Sequence, residues 1–167
     1  MEFKIVAVAS FSVCGLTVDL TTSQKENFRL TSGLWKNFNI ELRAKSLNRG
    51  RNWVKYGVTQ KISGGYSYMA AISIDEVIDN FDIAKIECLK FACFQHIGPL
   101  SHIKSAFANI YKKTIPGSGL IIDPERTVVH FERYDERFHW SRDDSIIDIF
   151  VPILNKNSDE TRTPERD

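Results

Sequence analysis

Little in this chain of 167 residues marks a reactive centre. Its three cysteines, Cys14, Cys88 and Cys93, are scattered, with no Cys-x-x-Cys pair and no Cys/His ligand spacing. That argues against zinc and fits small buried thiols in a reducing, cytoplasmic compartment. His96, His102, His130 and His139 do not fall at metal-ligand spacing either, so no metal is expected. There is no Gly-x-Gly-x-x-Gly and no P-loop; Gly64-Gly65 and Gly117-Ser118-Gly119 read as turn signals. Ser10, Ser12 and Ser67 lack a nucleophile-elbow context. No cofactor and no catalytic residue is therefore expected.

Charge of one sign is missing as well. Lys and Arg number 22, Asp and Glu 21, giving a net charge of +1. Such a balance suggests neither disorder nor a strongly acidic or basic partner. Arg43, Lys45, Arg49, Arg51 and Lys55 form a local basic stretch, read as a solvated loop ahead of a phosphate-binding surface. No helix-turn-helix is legible, so direct DNA binding is not expected. No apolar run reaches the ~18–20 residues needed to span a bilayer. The apolar residues from Ile5 to Val18 follow Lys4, but Glu2 dilutes a basic leader, and a first strand or strand pair is the reading over an export signal.

What is present is core material. Hydrophobic residues make up 43%, with 11 Phe, 5 Tyr and 3 Trp. That suffices for one compact domain, placed over residues 1–154, with a polar, flexible tail over 155–167. Residues 4–21 are rich in β-branched and aromatic side chains and predict extended structure, with a bend at Gly15. Phe28, Leu34, Trp35, Phe38 and Leu42 recur at near-helical spacing, with Thr31 or Ser32 as the cap. Residues 53–60 and 66–74 read as strands joined through Ser63-Gly64-Gly65, and 75–83 as a polar connection. Residues 86–96 form a strand-like run ended by Gly98-Pro99. Ser101 then caps a helix through Lys113 with Ile103, Phe107, Ile110 and Tyr111 as its buried stripe. Strands over 127–134 and 146–153 follow. The order strand–helix–strand–strand thus occurs twice. The predicted fold is α+β: one curved antiparallel sheet with two helices on one face.

Alternation sharpens this into a site. His130, Glu132 and Tyr134 share one face of their strand, and Phe131 and Arg133 the other. Ile147, Ile149, Val151 and Ile153 make an aliphatic face for the helices. Asp148 and Phe150 point the opposite way. If Glu132 lies on the same side as Asp148, two carboxylates meet Tyr134 and Phe150 away from the main core, which suits a lipophilic cation. A one-residue slip in register reverses that arrangement. The acidic and basic residues of 132–137 read equally well as a salt-bridged strand end, and Trp35 and Phe38 as core.

Phe94-Gln95-His96-Ile97-Gly98-Pro99-Leu100 ahead of a helix resembles the start of the second half of GyrI-like, AraC-type effector-binding domains. Phe131-Glu132-Arg133-Tyr134-Asp135 and Asp148-Ile149-Phe150-Val151-Pro152-Ile153 resemble that family's closing strands. Leu34-Trp35-Lys36-Asn37-Phe38 resembles its first helix, and Gly65-Tyr66-Ser67-Tyr68 its first hairpin. The resemblance implies a small-molecule-binding module for lipophilic or cationic compounds, acting in drug or effector sensing or sequestration. It maps the ligand glutamate onto Glu132, a second acid onto Asp148, and aromatic walls onto Trp35, Phe38, Tyr68, Tyr134 and Phe150. Integron-cassette and transcription-regulating relatives are implied, with a homodimer or a separate partner regulator as assemblies. Two alternatives stay open: a hydrolase of strained electrophiles using Glu132, and a gyrase-modulating interaction protein.

Overall fold

The computed structural model describes residues 1–47, 54–74, 76–87 and 89–154. Alternating Val, Ile and Phe near the start form β1 (Phe3–Val8) and β2 (Phe11–Asp19). Ser23 then opens α1 (Gln24–Ala44), its hydroxyl oxygen accepting the Glu26 amide at 3.2 Å. The cap lies well ahead of the predicted Thr31 or Ser32, because the polar residues before Phe28 are already helical. Leu34, Phe38 and Leu42 are buried, whereas Phe28 is exposed, with the Lys104 ammonium 5.3 Å from its ring centroid.

β3 (Lys55–Ile62) and β4 (Gly65–Ile72) form a hairpin whose tight turn includes Gly64 at φ +80°. The polar connection expected over 75–83 gives way to β5 (Asp82–Ile86), a short edge strand. β6 (Leu89–Ile97) is followed by a 3₁₀ turn, Leu100–His102, and then α2 (Ile103–Asn109). Ser101 caps neither: Pro99 and His102 occupy the cap positions without side-chain bonds. The helical path continues through a π turn, Ile110–Thr114, into α3 (Ile115–Ser118), and stops at Gly119 with φ +72°. β7 (Val128–Tyr134) and β8 (Ile146–Pro152) are the last strands among the described residues.

All eight strands join one antiparallel sheet in the order β1-β6-β8-β7-β3-β4-β2-β5. The two units, β2-α1-β3-β4 and β6-α2-β7-β8, meet at the β3–β7 seam. Each leading strand crosses to the other unit: β1 pairs with β6, and β5 pairs with β2. The duplicated α+β architecture is as the sequence predicts, but this exchange of edge strands is not legible in it. Gly15 sits where β2 is flanked by β4 and β5, and a Cβ there would come within 1.8 Å of the Ala70 carbonyl oxygen.

One face packs under the helices: Ile147, Ile149, Val151 and Ile153 against α2 and α3, and Tyr68 and Ala70 against α1. The opposite face, or the groove between the two halves, was expected to be free for a ligand; the opposite face is not. It is instead a second core, because the sheet curls into a half-barrel and brings Val13, Met69, Phe91, Phe131 and Phe150 together. Of the basic stretch, Arg49 and Arg51 lie outside the described residues, as do Trp53, Cys88 and the predicted tail over 155–167. Lys55 is no solvated loop residue; it is buried at the start of β3.

Candidate functional site

Register decides which carboxylates meet. In the β7–β8 ladder Glu132 pairs with Ile149, and Arg133 with Asp148. Directly paired residues point to the same side of a sheet. Glu132 therefore faces the helices along with Ile149, and Asp148 faces the inner core with Phe150. The predicted pair of carboxylates on one face is not formed. Asp148 is 2% exposed and held by Arg133 at 2.6 Å, by Arg137, and by the Gln95 amide at 3.2 Å. Phe150 stacks on Phe131 with ring centroids 4.5 Å apart. Both lie on the opposite face from Glu132.

Glu132 keeps different company. It is 5% exposed and stands at the seam between the two units. The hydroxyls of Tyr68 and Tyr134 donate to the same carboxylate oxygen, Oε2, at 2.7 and 3.1 Å. Trp35 Nε1 donates in turn to the Tyr68 hydroxyl at 3.1 Å. The chain of donors runs from α1 through β4 to β7, so helix and both units fix one carboxylate. Trp35 also meets Tyr134 edge to face at 5.3 Å, and Tyr134 meets Phe138 at 4.9 Å. Phe38 is fully buried behind Trp35, at 5.9 Å, and belongs to the core beneath α1.

Burial dominates the electrostatics. It pushes the Glu132 carboxyl up to about 7, although the two phenol hydrogen bonds pull the other way. Tyr68 and Tyr134 are raised well above the usual phenol range, first by burial and then by the neighbouring Glu132 charge. Two residues before Glu132, His130 Nδ1 lies 2.7 Å from the Tyr111 hydroxyl, with its ring 4.6 Å from that of Phe107. Burial holds His130 down at about 4, so it is neutral near pH 7. Tyr111 belongs to the π turn after α2, which brings this second aromatic group to the Glu132 side of the sheet.

A cavity of about 290 Å³ opens over these rings. Trp35, Tyr134, Phe138 and Trp140 supply aromatic wall and Leu100 aliphatic wall; the polar lining is Asn39 and Lys55. Glu132 lies behind that wall, reached through the Tyr134 hydroxyl. Of the predicted site residues, Glu132, Tyr134, Tyr68 and Trp35 come together; Asp148, Phe150 and Phe38 do not. Sequence reasoning missed Gly57, His130, Tyr111, Phe138 and the Lys55–Asn39 pair. His130 was legible on the Glu132 face of its strand; Lys55 was hidden within a run of basic residues. Among the described residues no group of His, Cys, Asp and Glu could hold a metal ion, and no helix is long and apolar enough to cross a membrane.

Residues 4–153 match the family model of Cass2, the integron-associated effector binding protein. The chain belongs to this family. It is a small-molecule-binding module of effector-binding type. The fold recurs in solved structures. SAV2435, solved bound to tetraphenylphosphonium, is similar with a TM-score of 0.73 and 18% identity over 93% of this chain and 95% of that one. An integron cassette protein of Vibrio cholerae is similar at 0.64 and 16%, over 91% and 95%. The C-terminal domain of EcmrR is similar at 0.60 and 11%, over 92% and 98%. No curated protein matches in sequence.

Proposed function

We propose that this module binds a lipophilic organic cation in the cavity over Trp35 and Tyr134, with Glu132 as the counter-charge. One observation carries the reading: a buried carboxylate at the seam of the two units, tied on one oxygen by two phenols, one of which lines an aromatic-walled cavity. Ring faces attract a cation, and flat apolar area takes up its lipophilic body. A carboxyl raised to about 7 gains its charge as the cation arrives, since the cation favours the ionised form. The tetraphenylphosphonium bound to SAV2435 is a compound of this chemical type.

The role is binding, in sensing or sequestration, and we infer that any regulatory output runs through a homodimer or a separate partner. The fixed Tyr68–Glu132–Tyr134 tie supports a counter-charge formed on binding over a catalytic base. Titrating tetraphenylphosphonium and following tryptophan fluorescence tests the assignment. Binding should weaken about ten-fold or more in Glu132→Gln, the loss of one buried charge partner. Equal affinity in the two proteins would remove Glu132 from the site. Turnover of an electrophilic substrate that disappears in Glu132→Gln would replace the binder with an enzyme.

A further inference from the structure

The cavity wall also carries a basic side chain, Lys55. Lys55 stands directly across the seam from Tyr134, on the face that also carries Gly57 and Glu132. It is 9% exposed and lines the cavity. Its ammonium donates to Asn39 Oδ1, one helical turn beyond Trp35 on α1. A lysine is rarely so buried, and apart from Asn39 the rest of this wall is aromatic or aliphatic. For a ligand that is only a cation, an ammonium in the wall lowers affinity through like-charge repulsion. Lys55 and Gly57 are two residues apart on β3, about 7 Å along the strand, and Gly57 pairs with Glu132. One face of the seam thus offers an acid and, a short distance along it, a base.

We propose that Lys55 reads an anionic group on the ligand, and that the ligand class is an aromatic, amphipathic zwitterion: a lipophilic cation that also bears a carboxylate or similar acceptor. This rests on Glu132 serving as the counter-charge. The cationic end lies toward Glu132 and its two tyrosines. The anionic end accepts an ammonium hydrogen from Lys55, which Asn39 orients. If instead Lys55 only packs its aliphatic stem between α1 and β3, affinity is blind to an acid on the ligand.

Two phosphonium compounds separate these roles. Carboxybutyl-triphenylphosphonium and pentyl-triphenylphosphonium are close in size and differ in a terminal carboxylate. By calorimetry near neutral pH, the wild-type protein should bind the zwitterion about ten-fold more tightly, the scale of one charge-assisted hydrogen bond. Lys55→Met should bring the ratio to about one, by weakening the carboxybutyl compound, which loses its hydrogen bond, and by tightening the pentyl compound, which loses a like charge. Lys55→Arg, which keeps the charge, should retain a preference. A second measurement needs no variant. Burial and the Arg43 charge on α1 hold Lys55 down at about 8, so the wild-type ratio should fall as pH rises through that value. The Tyr134 hydroxyl stays protonated there; Glu132 acts on the phosphonium common to both compounds and drops out of the ratio. Equal affinity of the two compounds for wild type, or a ratio unchanged in Lys55→Met, overturns the role of Lys55 and leaves the cation site standing. Failure of both compounds to bind wild type overturns the cation site and this inference together.

Discussion

Gly57 and Glu132 face each other across the seam of the two units, and a Cβ on Gly57 would lie 2.1 Å from Glu132 Oε2 and 2.2 Å from the Tyr68 hydroxyl. The phenol–carboxylate tie occupies the space that any larger residue would fill. Both contacts are side-chain ends bound to each other, so one cannot yield without breaking the hydrogen bond between them. Gly57→Ala should therefore destabilise the fold by about 1–3 kcal/mol, the usual range for overpacking. It should also weaken tetraphenylphosphonium binding, although the residue itself offers the ligand nothing. Chemical denaturation and the fluorescence titration measure the two effects. A variant that keeps wild-type affinity would show that the tie is dispensable for binding.

Binding should be coupled to a proton. The free site holds Glu132 at about 7 because it is buried, and a bound cation lowers it toward the ordinary carboxyl range. Below that value a proton must leave as the cation enters. Affinity for tetraphenylphosphonium should rise with pH up to about 7 and level off above it. Calorimetry in buffers of different ionisation enthalpy should detect up to one proton released per ligand on the acid side. In Glu132→Gln the release and the slope should vanish together.

Glu132, buried, and His130, half-buried on the same strand face, should act on stability with opposite signs. The Glu132 carboxyl is raised from 4.5 to about 7, so between these values the folded state holds a proton that the unfolded chain has lost. Its contribution is complete below about 4.5 and is lost as pH rises to 7. His130 is lowered from 6.5 to about 4, so between those values the unfolded chain holds the extra proton. Its contribution is complete above 6.5 and is lost as pH falls to 4. Each shift corresponds to about 3 kcal/mol, and the two largely offset one another where the windows overlap. Stability of Glu132→Gln should accordingly climb from pH 4.5 to 6.5 more steeply than that of wild type. His130→Gln should decline over the same interval. Parallel slopes in the two variants would contradict this pairing of shifts.

Asp148 should matter to folding and not to the ligand. Removing its charge leaves Arg133 and Arg137 without their shared buried acceptor. Both arginines are partly exposed, which moderates the loss to about 1–3 kcal/mol. Asp148→Asn should lower the melting temperature and leave the affinity for tetraphenylphosphonium unchanged. A loss of affinity beyond that explained by unfolding would place Asp148 back among the ligand groups.

The sequence by itself determined the composition of the core, the duplicated strand–helix–strand–strand order, and the division of each strand into two faces. The last of these follows from a period of two, which needs no partner strand. It put Glu132 with Tyr134 and His130, and Asp148 with Phe150, correctly in both cases. Nothing in a single strand says which of its faces meets which face of the next. The pairing of Glu132 with Ile149 and of Arg133 with Asp148 is a tertiary fact, and it separated the two carboxylates that alternation alone had allowed to meet. A curved sheet was expected, but its closure was hidden: the face opposite the helices closes on itself, because eight twisted strands with β1 and β5 exchanged between the units curl into a half-barrel. Gly57 could have been any strand glycine and Lys55 any residue of a basic loop until the β3–β7 ladder set one beside Glu132 and the other beside Tyr134. Side-chain type and period are written locally. Register and curvature depend on contacts between residues far apart in the chain, and it is those contacts that put an acid and a base on one face of the same seam.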